Sequence, residues 1–453
     1  MGSSSGRRST DSKSIEASDY GRVWNIAWPI ILANSTVPLL GLVDTAVIGN
    51  TGRSIDLGAI ALGALIFNVL YWSFGFLRMG TTGFTAQADG AGDEVEVRAI
   101  VGRALLLAAT IGLGLILGQR LVAGSALHVL GANSAVEEIT RAYVLNRIWG
   151  APASLGLYAL MGLMIGLGHS GKLLRVQLLL NGFNMLLDIL FAGLLGWGPA
   201  GIAAGTAIAE WVALIYAGWL TYGLLCKRQR NAEALWPWHR ITDSKKLRQT
   251  LSANADIMLR TLLLLFGFAW FIDQSARFGD VVLAGNHILL QFVSFSAFFL
   301  DGFAFATEVL VGRATGEGHR DLFDRTVRRS SVLAASTALG LCLVLLTSGP
   351  LAIMGLTDLT EVRHSAQRYL PHAAVYVLLS VAAFQLDGIF IGATATRPMR
   401  NAALLAVLAF LLAWWPLVRW GNNDGLWMAF IIFVIARAAA LAARYPALRN
   451  AVA

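Results

Sequence analysis

Long apolar stretches recur along this chain of 453 residues, and each is about as long as a helix that crosses a bilayer. A helix needs about 20 predominantly apolar residues to cross the hydrocarbon core. Hydrophobic residues make up 56% of the chain and charged residues 14%, whereas soluble proteins carry about 25% charged residues. The sequence therefore predicts a membrane protein and excludes an ordinary soluble enzyme or a disordered chain.

Twelve helical spans are predicted, because strands that form a pore would show alternation over about ten residues instead. The predicted spans are 24–48, 57–79, 98–122, 139–167, 173–195, 199–225, 248–276, 280–305, 327–350, 365–393, 400–420 and 425–445. The predicted fold class is therefore an all-α membrane protein with twelve transmembrane helices.

Lysine and arginine concentrate in alternate connections between these spans. If the N-terminus is inside, the inner connections hold most of them, including the basic cluster within 227–248. An excess of lysine and arginine marks the cytoplasmic side, which predicts cytoplasmic termini and a bacterial inner-membrane location. The net charge of +8 then indicates contact with membrane lipids and not with nucleic acid.

The longest polar connection, 226–247, separates six spans from six spans. At a constant offset of 224, Arg53 matches Arg277 and Asp56 matches Asp280, which indicates an internal repeat. Two such repeats enter the membrane with the same topology, as in transporters whose substrate path lies at the repeat interface. The predicted divisions are a disordered cytoplasmic tail over 1–23, an N-lobe over 24–225, an inter-lobe loop over 226–247, a C-lobe over 248–445 and a cytoplasmic tail over 446–453.

Five polar residues of the first half are predicted to lie at one depth of the membrane, in its outer half. Asp44 lies late in the first span and Tyr143 at the start of the fourth. Asn184 and Asp188 share a face of the fifth because they are four residues apart, and Thr206 is early in the sixth. Intramembrane carboxylates are costly and usually functional, so we predict a proton or sodium site; the alternative is a hydrogen-bond network that only packs helices.

The remaining intramembrane charges are weaker candidates. Glu210 lies one turn after Thr206, where it can join the site, pair with a cation or face an aqueous cavity. In the second half, the one-turn spacing of Asp256 and Arg260 predicts an intrahelical ion pair. The predicted gate or cavity residues of this half are Asp387, Asp256, Arg260 and Asp301.

Pro29 and Pro38 both lie in the first span, which also carries Asp44. Each proline removes a helix hydrogen bond and permits a kink. A bend in this helix could therefore accompany ion binding at Asp44, and simple static bending is the alternative.

Motifs for other kinds of chemistry are missing from the sequence. The stretch 166–172 (GLGHSGK) superficially resembles a phosphate loop. It follows a membrane span and not a strand, whereas a phosphate-binding loop follows a strand, so we do not interpret it as one. Cys226 and Cys342 lack the spacing of a disulfide framework or a zinc site. We therefore predict a transporter, not an enzyme, that has no cofactor or structural metal and draws on an ion gradient.

Four segments together resemble the multidrug and toxic compound extrusion (MATE) family, and within it the DNA-damage-inducible protein F (DinF) branch. The segments are PLLGLVDTAVIGN (38–50), NADIMLRTL (254–262), FLDGFAFATEVLVGRATG (299–316) and LDGIFIGATATRPMRNA (386–402). The resemblance covers nearly the whole chain after residue 23. It implies two pseudo-symmetric six-helix lobes around a central cavity and a cation-coupled antiporter that works by alternating access.

The resemblance also implies roles for individual residues. The family's first-helix acid matches Asp44, and the proline whose bend accompanies protonation matches Pro29. The fifth-helix pair, the sixth-helix threonine and the fourth-helix tyrosine match Asn184, Asp188, Thr206 and Tyr143. Met161 stands where such transporters often carry asparagine, so the network can lack one member. The sodium-binding glutamate of some other branches has no match in the second half, which favours proton coupling.

The leading interpretation is a monomeric antiporter that exports organic, amphiphilic or cationic compounds in exchange for protons or sodium. A flippase for lipid-linked sugars is the alternative within transport, but it is expected to have a strongly cationic cavity, and Arg260 and Arg147 are the exceptions among spans with few basic residues. A membrane enzyme would need a catalytic cluster at one membrane face, and a channel would show ion flux above transporter rates.

Overall fold

The computed structural model describes residues 5–51, 53–131, 133–229 and 234–452, and these are helical nearly throughout. Eleven helical runs within this part of the chain are long and apolar enough to cross a membrane. The last run, Thr396–Asn450, contains two helices joined at Asn422, whose backbone is non-helical (φ 48°, ψ −121°). Counting both gives twelve spans and confirms the predicted number, with the break inside the predicted gap between 420 and 425.

Seventeen α-helices occur in the described chain. They are α1 Ser5–Ser35, α2 Val37–Thr51, α3 Ser54–Ser73, α4 Phe76–Gly90, α5 Glu94–Leu117, α6 Gln119–Leu130, α7 Ser134–Arg147, α8 Ala151–Gly166, α9 Ser170–Asp188, α10 Gly198–Arg228, α11 Trp238–Ile241, α12 Ser244–Ala276, α13 Asp280–Glu317, α14 Arg320–Leu356, α15 Thr360–Gly392, α16 Thr396–Ala442 and α17 Tyr445–Asn450. A 3₁₀ turn at Ile148–Gly150 joins α7 to α8, and a π-helical turn at Ile189–Leu194 extends α9.

The helices form two compact units. The N-unit is Leu32–Asn254, and the C-unit combines Met1–Ile31 with Ala255–Ala453. Aliphatic side chains together with Phe67 and Tyr143 fill the core of the N-unit. The core of the C-unit is aromatic, with Tyr376 stacked on Phe430 at 4.6 Å between ring centroids. Each unit therefore buries its own core, while large apolar side chains remain on helix surfaces that suit lipid contact.

The first span is divided between α1 and α2 at Thr36. Thr36 bonds back to the Ala33 carbonyl oxygen through its hydroxyl (2.7 Å), and Asn181 Nδ2 donates to that hydroxyl oxygen (2.5 Å). The break lies next to Pro38, because proline has no N–H to donate to the carbonyl oxygen of Asn34 and its ring clashes with that carbonyl group in a continuous helix. Helix α1 continues through Pro29, so the role of Pro29 in a bend stays a prediction.

Helix α1 begins at Ser5 and so includes most of the segment 1–23, which the sequence predicts to be a disordered tail. A physical reason is that extending an existing helix costs much less than nucleating one, and residues 5–23 contain no proline. The cytoplasmic location of this segment stays a prediction.

The internal repeat is visible in two glycines that sit at equivalent helix contacts. A Cβ added at Gly166 in α8 would lie 2.8 Å from the Thr82 carbonyl oxygen in α4. A Cβ added at Gly392 in α15 would lie 2.5 Å from the Glu308 carbonyl oxygen in α13. Small residues let membrane helices approach closely. Both units use glycine for this, and the two glycines and the two carbonyl groups that they approach are each 226 residues apart in the sequence.

Candidate cation-coupling site

Asn184, Asp188 and Thr206 form one hydrogen-bonded group inside the N-unit. Asn184 Nδ2 donates to Asp188 Oδ2 (3.1 Å) and to Thr206 Oγ1 (3.2 Å). The Thr206 hydroxyl in turn donates to the Ile202 carbonyl oxygen (2.9 Å). Asp188 is fully buried at the end of α9, where the π-helical turn begins, and such turns are frequent at functional sites. The structure thus brings together three of the predicted site residues.

Asp44 from α2 joins this group through Asp188. The side chains of Asp44 and Asp188 interact directly with each other, and Oδ1 of each is buried with no hydrogen-bond partner among the described residues. An ionised carboxylate only accepts hydrogen bonds. Two carboxyl groups can therefore bond to each other only when one of them carries a proton, and a neighbouring pair of this kind can load and release one proton.

Tyr143 belongs to a neighbouring pair with Arg147, which lies one turn later on α7. Arg147 Nη1 donates to the Tyr143 hydroxyl oxygen (2.8 Å), and the guanidinium carbon lies 4.6 Å from the centre of the Phe67 ring. Arg147 interacts electrostatically with both Asp44 and Asp188. The sequence interpretation named Arg147 only as a basic residue within a span and did not place it beside the site, although its spacing from Tyr143 puts both on one helix face.

Glu210 is buried in α10, one turn beyond Thr206, with 5% of its surface exposed. Its carboxyl group lies beside Ser154 of α8 and interacts electrostatically with Arg147. Glu210 therefore lies beside the group around Asp188, and Arg147 is the cation common to both.

The charged residues of the C-unit pair between helices. Arg260 of α12 forms a buried ion pair with Asp387 of α15. Asp256 accepts from Arg400 Nη1 (2.7 Å) and from the Thr396 hydroxyl (3.0 Å), both on α16. The predicted intrahelical pair of Asp256 and Arg260 is therefore wrong. Each side chain has a closer partner on a neighbouring helix than on its own helix. The packing of the helices therefore determines the ion pairs, and the spacing along one helix does not.

Arg437 of α16 completes the buried group around Asp387. Its Nη2 lies 4.0 Å from Asp387 Oδ2, and Arg260 and Asp301 also interact with it electrostatically. The structure thus brings Asp387, Arg260 and Asp301 together, and their role in a gate or cavity stays a prediction. Arg437 was missed, although an arginine within the predicted span 425–445 is itself an intramembrane charge that requires a partner.

A family model described as MatE matches residues 29–190 and 257–415. The chain is 36% identical over 425 residues to DNA damage-inducible protein F of Escherichia coli (strain K12), covering 93% of this chain and 91% of that protein. It is 26% identical over 438 residues to a probable multidrug resistance protein NorM of Agrobacterium fabrum, covering 92% and 91%. These matches run through both units.

The fold agrees with a crystal structure of MATE in the straight conformation. The TM-score is 0.85 at 18% sequence identity, covering 95% of this chain and 97% of that one. The twelve-helix, two-lobe fold predicted from the sequence is thereby confirmed. Since the family's members are transporters, the prediction of a transporter and not an enzyme is confirmed as well. With the two matched segments and the relative from Escherichia coli, the chain belongs to the MATE family of multi-pass membrane transporters.

Proposed function

We propose that the chain is a secondary antiporter that exports organic, amphiphilic or cationic compounds in exchange for protons by alternating access. The observation that carries the proposal is the pairing of two carboxyl groups, Asp44 and Asp188, inside the N-unit, where Oδ1 of each is buried and has no hydrogen-bond partner among the described residues. Relatives such as NorM of Agrobacterium fabrum, named a probable multidrug resistance protein, support the class of substrate.

The chemistry follows from the charge that the pair changes. A proton binds to a carboxylate oxygen of the pair, while Asn184 holds Asp188 in place through its amide hydrogens. An ion can drive export only if its affinity, and that of the substrate, differs between the inward-open and outward-open states. Protonation removes one negative charge from a site inside the membrane, where an ionised carboxylate is costly. It can therefore favour one of the two states over the other.

The flippase alternative is less well supported. It would require buried cations that remain free to bind an anionic lipid carrier. Arg260 and Arg437 are buried, but both lie at Asp387, so the carboxylate offsets part of their charge. We also propose cytoplasmic termini, which the basic connection over 226–247 supports; a fluorescent protein fused to the C-terminus would fluoresce only if that terminus is inside.

The proposal predicts which gradient drives transport in proteoliposomes. With ethidium as the probe, an imposed pH gradient is expected to drive its accumulation against a concentration gradient, and an imposed sodium gradient at equal pH on both sides is not. The reason is that two neighbouring carboxylates repel each other, so the pair favours binding a proton. Accumulation with sodium alone would show that oxygen atoms of the site bind a metal cation instead, and no accumulation with either gradient would contradict the antiporter.

A further inference from the structure

Glu210 is a further buried carboxyl group in the N-unit, and it lies outside the group formed by Asp44, Asn184, Asp188 and Thr206. Its surroundings are Ser154 and Tyr158 of α8, Tyr71 of α3 and Arg147 of α7. Oε2 is buried, and no hydrogen-bond donor in the described chain reaches it. A carboxyl group in such a position is costly as an anion unless a cation offsets it.

Arg147 is the cation that acts on both carboxyl sites. It is fixed by the hydroxyl of Tyr143 (2.8 Å) and by the face of Phe67 (4.6 Å), so its charge stays in place while the carboxyl groups gain or lose protons. Its electrostatic partners include Glu210 as well as Asp44 and Asp188. One positive charge therefore faces three carboxyl groups.

We propose that Glu210 is a second proton-binding group of the N-unit and that Arg147 is a positioning residue through which its charge acts on the Asp44–Asp188 pair. When Glu210 is ionised, it offsets Arg147, and the pair retains its proton. When Glu210 is protonated, Arg147 is unopposed and favours the ionised pair. The two sites thus bind protons anti-cooperatively. This inference rests on the proposed proton coupling and names a further group that takes part in it.

The proposal predicts opposite shifts for two single variants. The protonated-carboxyl band in infrared spectra of the protein in nanodiscs reports the titration of the pair, with Asp188→Asn identifying the band. Glu210→Gln is expected to move the midpoint to lower pH by about one unit, since the unopposed guanidinium then favours the anion. Arg147→Gln is expected to move it to higher pH by about as much. The midpoint of the double variant, which combines Glu210→Gln with Arg147→Gln, should lie close to that of the wild type.

Matched controls come from Glu137 and Arg141, an exposed ion pair on the same helix as Arg147. Arg141 Nη2 lies 2.8 Å from Glu137 Oε1. Glu137→Gln and Arg141→Gln remove the same charges and should leave the midpoint unchanged. Arg147→Lys and Glu210→Asp keep the charge and should titrate like the wild type, and thermal melting identifies any variant that fails to fold. Shifts of both single variants in one direction, or no shift in either, would overturn the proposal.

The titration needs no substrate, so it separates the two proposals. A protein that shows the opposite shifts but does not accumulate ethidium under a pH gradient would contradict the proposed function and leave the charge coupling standing. A protein that accumulates ethidium but shows no shift of the midpoint in Glu210→Gln would contradict the charge coupling and leave the proposed function standing.

Discussion

Asp188→Asn is expected to abolish ethidium accumulation driven by a pH gradient, reducing it to the level of empty liposomes. Asparagine keeps the size of the side chain and can hydrogen-bond to Asn184 and Asp44, but it cannot bind or release a proton. The side chain at position 188 therefore stays neutral at every pH, like a protonated carboxyl group. Movement of ethidium down its own concentration gradient should continue, because exchange without proton coupling needs no titratable group.

The control for this experiment is Asp273→Asn, which removes an exposed carboxylate paired with Arg277 at 3.4 Å. It should accumulate ethidium like the wild type. Undiminished uphill accumulation by Asp188→Asn would show that the proton is carried elsewhere. Loss of both uphill and downhill movement would show a structural role for Asp188.

Asp387→Ala is expected to lower the free energy of unfolding of the C-unit by about 3–5 kcal/mol, which is the usual cost of removing one partner of a buried ion pair. The carboxylate is the shared partner of Arg260 and Arg437, so its loss leaves two buried guanidinium groups in one apolar region. Thermal melting of the purified protein in detergent measures the effect as a lower midpoint.

Asp424→Ala serves as the matched control, because Asp424 pairs with Arg368 at 3.2 Å on the exposed surface. Exposed pairs contribute about 0–1 kcal/mol, so its melting midpoint should change little. Replacing Asp387, Arg260 and Arg437 together with apolar residues should recover part of the stability, since both buried guanidinium groups are then removed and Asp301 is the remaining charge of the group. A melting midpoint of Asp387→Ala equal to that of the control would contradict a buried ion pair at Asp387.

The spans and the polar group of the N-unit could be predicted because their signals are local in the sequence. Apolar runs determine where helices cross the membrane, and the four-residue spacing of Asn184 and Asp188 puts them on one helix face. Thr206 and Asp44 could be added because the orientation of each span sets the depth of its residues.

Partners on other helices could not be predicted in the same way. Asp256 bonds to Arg400 and not to Arg260, because the packing of α12 against α16 sets the distance between them. Arg437 was missed for a related reason: a single sequence does not show which helix faces Asp387. The break of the first span at Thr36 likewise depends on Asn181 of another helix as well as on Pro38.

The central claim is that the Asp44–Asp188 pair holds a proton that substrate displaces. It is tested most directly by measuring proton release, with a pH indicator, when ethidium binds to the purified protein in weakly buffered detergent solution. The wild type is expected to release about one proton per molecule, since linkage makes proton and substrate binding oppose each other. Asp44→Asn and Asp188→Asn, in which a neutral amide replaces a carboxyl group of the pair, should bind ethidium more weakly and release no proton from the pair. Equal proton release from the wild type and both variants would contradict the account.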